Sequence, residues 1–190
     1  MRAQTATPVN EIIATRRSPR SFNATAELSD GDLLAMLEAA RWAPSAFNGQ
    51  PWRYFVGKRG SAVFGEILSS LGEFNQMWAK NASALILVAS TTVKGDGSIH
   101  GDYQYDCGLS VAQLTIEAHD RNLIVHQMTG FDRELAKSAV AIGDDLVAVV
   151  VVAVGTQDAP EKLAGPLLER ELAPRQRLPL ETIVVKGLPA

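Results

Sequence analysis

The run "LVAVVVVAVG", Leu146 to Gly155, constrains this chain more than any other stretch of it. It carries no charge and is dominated by β-branched Val, which packs well on a pleated surface and is stiff in a helix. Its length is about half that of a membrane span, so it reads as a buried central strand. "ALILVAST", residues 84–91, is a second continuously apolar strand.

The other elements arrange themselves around these two. "WRYFVGK" alternates and is β-rich, and "LIVHQM" is a further strand. Asn10 or Pro8 opens a short helix that stops where Ser18 precedes Pro19, because the residue before proline is driven out of the α region. Ser29, with Asp32 three residues on, is a carboxylate variant of the capping box, and Pro44 ends the helix that follows. A helical stretch covers roughly 62–81 with a break near Gly72. "YQYDCGLSVAQLTIEAHDRN" is the longest helical pattern, and its apolar stripe is wider than a surface helix needs, which fits a core helix or one that also packs on a second subunit. "FDRELAKSAV" is another helix, and the tail "RQRLPLETIVVKG" is expected to close with a short β-rich segment. Strands and helices interleave, so the fold is α/β or α+β with a sheet covered by helices.

Nothing marks a domain boundary, and residues 1–190 are expected to form one domain. Lys and Arg number 18 against 21 Asp and Glu, a balance of −3 that gives no general attraction to nucleic acid or to a membrane surface. Any basic function is therefore local. The single Cys107 cannot form an intramolecular disulfide, and "MRAQTATPVN" has no apolar core of a secretory signal, so a cytoplasmic location is expected.

Several chemistries are missing. There is no G-x-G-x-x-G after a strand, no P-loop and no G-x-S-x-G elbow. His100, His119 and His126 stand at no metal-ligand spacing, so no metal is expected, and His119 and His126 read as structural. Anchoring chemistry is present. In "RRSPRSF" the guanidinium forks of Arg16, Arg17 and Arg20 and the hydroxyl of Ser18 suit a phosphate, although a solvated basic turn at a helix end is equally open. Arg175 and Arg177 in "RQR" form a second basic pair. "APSAFNGQPW" sets Asn48 and Gln50 in a loop, and amides that donate and accept suit a flat heterocycle or the loop's own backbone. In "HQMTGFD", Gly130 lets backbone approach a planar ligand closely.

Taken in order, RRSPRSF, APSAFNGQPW, FNQMWAKNASALILVA, YDCGLSVAQLTIEAH, HQMTGFD and PRQRLPLETIV resemble the nitroreductase family of flavin enzymes over nearly the whole chain. The resemblance implies an α+β fold with a central, mostly antiparallel sheet, a homodimer with the long helix at its interface, and one FMN per subunit bound there. It implies that Arg16, Arg17, Ser18 and Arg20 meet the FMN phosphate and pyrimidine edge, that Arg175 and Arg177 reach the same phosphate, and that Pro44, Ser45, Ala46, Asn48 and Gln50 belong to a loop laid over the cofactor by the partner subunit. Asn75 matches an amide on the isoalloxazine, and Gln127, Met128, Thr129 and Gly130 match a turn whose backbone faces the flavin N5. Two departures stand out: Ala46 replaces the family's usual second serine, and Asn122 stands where a glycine is common before the leucine, in a turn that asparagine can also take. The implied activity is ping-pong hydride transfer from NADH or NADPH through FMN to a nitroaromatic, quinone or similar small-molecule acceptor, with no catalytic acid or base. Related branches use the scaffold for reductive dehalogenation, flavin breakdown or ring oxidation, and residues 92–103 and 156–172 are the expected substrate-covering segments. A non-catalytic domain using "RRSP" for binding would leave the other five motifs unexplained.

Overall fold

A computed structural model describes residues 2–187. Four strands, β1 (Trp52–Lys58), β2 (Ala84–Thr91), β3 (Ile124–Met128) and β4 (Leu146–Gly155), form an antiparallel sheet in the order β1-β2-β4-β3. The helices are α1 (Glu11–Thr15), α2 (Asp30–Arg41), α3 (Ala62–Ser70), α4 (Glu73–Ala79), α5 (Tyr103–Asp120), α6 (Arg133–Ala139), α7 (Pro166–Leu172) and α8 (Leu180–Ile183). With every strand pairing antiparallel, the architecture is α+β rather than parallel α/β.

β2 and β4 are continuously apolar because both faces of the sheet are covered. Leu85, Leu87, Val151 and Ala153 enter a layer with Phe64, Ile67, Trp78 and Ala136, beneath α3, α4 and α6. Ile86, Val88, Val150, Val152 and Val154 enter the opposite layer with Leu33, Met36, Val111 and Leu114, beneath α2 and α5. Burying each Val or Leu contributes about 1.5–3 kcal/mol, so this double-sided packing is the main source of stability. A β-bulge between Val88 and Ala89 shifts the β2–β4 register by one residue.

Local signals set the helix ends. Ser29 Oγ accepts from Asp32 N at 3.0 Å and also donates to Asp32 Oδ2, so the capping pair forms. Asn10, Ser61 and Asp132 cap α1, α3 and α6 in the same way. Gly72 separates α3 from α4, and Asn122 takes φ 60° after α5, as the sequence suggests. The tail differs from expectation: Leu180–Ile183 is a short helix, and no strand pairs with residues 173–187. "TIVV" has β propensity, but it pairs with neither edge strand, β1 or β3, and a short helix follows Pro179 instead.

Gly57 in β1 passes so close to α3 that a Cβ there would meet the backbone of Phe64 and lie 2.7 Å from the carbonyl carbon of Val63. Gly57→Ala is expected to destabilise the protein by about 3 kcal/mol, the upper range for overpacking against backbone that cannot yield, as read from the urea unfolding midpoint.

Candidate functional site

"RRSPRSF" leaves α1 and continues as extended chain alongside the exit of β4. Phe22 bridges Gln157, Asp158 N donates to the Ser21 carbonyl at 2.9 Å, and Asn23 N donates to the Thr156 carbonyl at 2.9 Å. β3 pairs with β4 on the same side, from Ile124 opposite Gly155 to Met128 opposite Val151. His126 therefore lies under the stretch: its Nδ1 is 2.9 Å from the Pro19 carbonyl, and its ring packs on Trp78, which stacks in turn on Phe22. Burial pushes the His126 pKa down to about 4, with the Pro19 carbonyl opposing and the Arg20 charge assisting. A neutral imidazole donating Nδ1–H to Pro19 follows.

The three arginines diverge from this support. Arg17 donates to the carbonyls of Glu171 at 2.8 Å and Ala173 at 3.4 Å, closing the end of α7. Arg20 gives its backbone N–H to Glu171 Oε2 at 2.8 Å, and its buried Nε has no hydrogen-bond partner among the described residues. Burial lowers its pKa, the Glu171 carboxylate offsets this, and Arg170 adds to it. Arg16 instead faces a cavity of about 500 Å³ together with Arg175 and Arg177.

These three form an uncompensated cationic cluster. Arg175 Nη1 donates to the Ala14 carbonyl at 2.9 Å and Arg177 Nη1 to the Gln176 carbonyl at 2.7 Å, both neutral acceptors. Among the described residues, no carboxylate pairs with Arg16, Arg17, Arg175 or Arg177. Burial and then Arg177 lower the pKa of Arg16; burial, Arg16, Arg177 and Arg17 lower that of Arg175. Guanidinium groups stay charged regardless, so the cavity is a place where an anion would be stabilised.

A neighbouring cavity joins Arg16 and Ser18 to Gln127, Thr115 and Ile116. Gln127 Nε2 donates to Thr115 Oγ1 at 3.0 Å. The Met128 side chain is buried in the core, leaving only its backbone for the turn, while Thr129 and Gly130 are exposed. Asn75 Nδ2 donates to the Gly130 carbonyl at 3.2 Å, and a Cβ on Gly130 would stand 3.2 Å from that amide. Glycine lets Asn75 close on the turn.

Residues 44–50 lie apart. Pro44, Ser45 and Ala46 line a cavity with Tyr105, Asp106 and Leu109, and none of residues 44–50 shares a lining with Arg16, Arg175 or Arg177. Phe47, Asn48 and Gln50 hold φ of 54°, 55° and 44°, a left-handed region that residues other than glycine enter at a cost. Phe47 is 96% exposed. The Gln50 amide is used locally, donating to the Asn48 carbonyl at 3.0 Å, while Gln50 N donates to Ser45 Oγ at 3.0 Å. Within one chain the structure thus brings together the arginines, Ser18 and Gln127, and keeps the loop separate.

Glu171 serves this site without having been signalled by any motif, and Thr115 stands within "YDCGLSVAQLTIEAH" without being singled out there. "LLEREL" looks like a surface turn, yet Glu171 falls four residues after the buried Leu167, on the inward face of α7. That spacing was the available sign.

Comparisons with known proteins bear on family and fold. The model of the nitroreductase family matches residues 13–73. A solved structure described as an oxidoreductase containing FMN has a TM-score of 0.91 and 33% identity, covering 98% of this chain and 95% of that chain. An uncharacterised 15.4 kDa protein of Mycolicibacterium smegmatis is 35% identical over 143 residues, 71% of this chain and 95% of that protein. An oxygen-insensitive NADPH nitroreductase of Helicobacter pylori is 34% identical over 80 residues, 42% of this chain but only 37% of that enzyme. The chain belongs to the nitroreductase family. No helix among the described residues is long and apolar enough to cross a membrane.

His126 makes stability pH-dependent. Its native pKa, about 4, lies below the ordinary 6.5, so the folded state binds its proton less readily than the unfolded one. The contribution is complete above pH 6.5 and is lost as pH falls from 6.5 towards 4. Between pH 7 and 5 it amounts to about 2 kcal/mol. In urea unfolding across that range, His126→Gln is expected to remove this part of the slope while retaining an N–H for Pro19.

Proposed function

We propose that this protein is an FMN-dependent oxidoreductase that passes a hydride from NADH or NADPH, through the flavin, to a nitroaromatic, quinone or similar small-molecule acceptor by ping-pong exchange. The observation that carries the reading is the cluster of Arg16, Arg175 and Arg177, which line one cavity, the first two half-buried, and which hydrogen-bond among the described residues only to neutral acceptors, the Ser18 hydroxyl and the carbonyls of Ala14 and Gln176. A phosphate dianion relieves that charge, and the family and its FMN-containing relative supply the phosphate-bearing group.

The residues present fit FMN. Arg16, Arg175, Arg177 and Ser18 hold its phosphate. Arg17 acts through position, tying α7 to the stretch so that residues 175–177 return to Arg16. Arg20, with an unpaired buried Nε, supplies a cation for the pyrimidine edge, where negative charge accumulates on reduction. Asn75, Gln127 and the backbone of Met128, Thr129 and Gly130 form the wall that meets the ring. When bound, FMN supplies the hydride-accepting and hydride-donating centre at N5, so the protein provides binding, orientation and electrostatics and no catalytic acid or base.

The assembly in this reading is a homodimer, in which Pro44, Ser45, Ala46, Asn48 and Gln50 reach the cofactor held by the other subunit. Its support is the separation of this loop from the arginines within one chain, together with apolar residues left in solvent: Phe47, Tyr105, Ile116, Ile13, Leu178 and Ile183.

Purified protein is expected to show visible flavin absorption, or to bind added FMN and rise in melting temperature; the absence of both refutes the reading. Arg16→Ala and Arg177→Ala are each expected to weaken FMN binding by about 1.5–3 kcal/mol, the scale of a charge-assisted hydrogen bond, as read by fluorescence titration. Unchanged affinity in both would show that the phosphate lies elsewhere.

A further inference from the structure

A buried carboxylate stands directly behind the strained loop. Asp106, on the inner face of α5 and about 1% exposed, accepts the Ala46 N–H with both oxygens, at 3.2 and 3.3 Å. His100 Nε2 lies 3.2 Å from Asp106 Oδ2, but off the hydrogen-bond direction, so both ring nitrogens of this 2%-exposed histidine have no hydrogen-bond partner among the described residues. The His100 backbone is fixed independently: its N donates to the Thr92 carbonyl at 2.8 Å, beside the bridge between Val93 and Ile99. Its ring also backs Gly49, where a Cβ would lie 3.5 Å from Nε2. Loop, imidazole and carboxylate thus meet at one point, and His100 shares a cavity with Ala46, Phe47, Gly49 and Lys94.

An ordinary core position would not retain this arrangement. A carboxylate and an imidazole removed from water are costly, and apolar side chains of similar volume fill such space more favourably. Asp106 does not cap α5 either, since the capping position belongs to Asp102. What the carboxylate holds is the amide that opens the turn at residues 46–48, immediately before two of the left-handed residues. Backbone held in a sparsely populated region persists only when its surroundings over-determine it, and here Asp106 and His100 are those surroundings.

We propose that Asp106 and His100 are positioning residues that hold the loop of residues 45–50 in the strained form with which it reaches over the cofactor. The inference rests on the FMN reading above and adds to it a device outside the cofactor-contacting set. His100 closes the segment of residues 91–100, so the same pair fixes that segment and the loop relative to each other, and the entrance and cover of the site keep a common geometry.

The test compares wild type, Asp106→Ala, Asp106→Asn, His100→Ala and Gly49→Ala by FMN titration, by the visible spectrum of bound flavin and by the melting temperature of the flavin-free protein. Asp106→Ala is expected to bind FMN roughly tenfold or more weakly, the effect of one lost charge-assisted hydrogen bond, and His100→Ala, which removes the ring packed behind Gly49, to weaken binding in the same direction; both are expected to shift the flavin spectrum. Asp106→Asn is expected to recover most of the affinity, because its carboxamide oxygen still accepts from Ala46. Gly49→Ala is in an exposed part of the loop, has ordinary φ, and would set a Cβ 3.1 Å from the Ala46 carbonyl. It is expected to shift the spectrum without lowering the flavin-free melting temperature, which keeps the test decisive even where the Asp106 variants do not fold. Wild type that binds FMN, with every folded variant matching its affinity and spectrum, overturns this inference alone. Wild type that takes up no flavin overturns the proposed function and this inference together.

Discussion

The pairing of β2 with β4 is the constraint on which the other parts hang. Each strand is apolar on both faces, so helices must cover both sides, and the layers of α3, α4 and α6 and of α2 and α5 follow. Because β2 occupies one edge of β4, only the other edge is free. β3 takes that edge near its end, and the chain after "RRSPR" runs beside the residues that follow β4. A pattern of Val and Leu with no chemistry of its own therefore decides that His126 supports Pro19, and that Gln127 shares a cavity with Arg16 and Ser18.

The second dependence is electrostatic. Arg16 and Arg177 lie 161 positions apart in a chain of net negative charge, and like charges brought together repel. Around the cluster the association is held by neutral acceptors, Arg17 on the carbonyls of Glu171 and Ala173 and Arg175 on the carbonyl of Ala14, while the Glu171 carboxylate is turned to the backbone N–H of Arg20. Carboxylate partners would have tied the segments equally well but cancelled the charge. Carbonyl partners fix the geometry and leave the field intact, which is the difference between a structural salt bridge and a site for an anion.

Much of this was legible in the sequence. Ser29 with Asp32, Gly72 and Asn122 each performed the local task that their chemistry allows, and the apolar runs became the central strands. What could not be read was long-range. "TIVV" has strand propensity, yet a segment that pairs with no other strand does not express it, and the tail is helical at Leu180–Ile183. Nothing in "RRSPRSF" distinguishes Arg17 from Arg16, because the difference arises only from where α7 ends. His126 reads correctly as structural, but that its structural duty is to carry the arginine stretch depends on strand order. Glu171, Thr115 and Asp106 owe their importance to what folding places beside them.

Strain and exposure at the loop point in one direction. A left-handed backbone at Phe47, Asn48 and Gln50 opposes folding, and so does leaving the Phe47 ring in water, so the isolated chain gains from neither. Covering the ring would reverse the second term, and hydrogen bonds to the amides would offset the first. The covering surface cannot be the chain's own arginine site, from which the loop is separated, and it must offer an apolar face with hydrogen-bonding groups. In the proposed dimer, the flat heterocycle held by the second copy would meet both demands. On the same proposal, the buried Asp106 would hold a backbone amide rather than a side chain because a loop stiff before its occupant arrives avoids an ordering cost that would subtract from affinity.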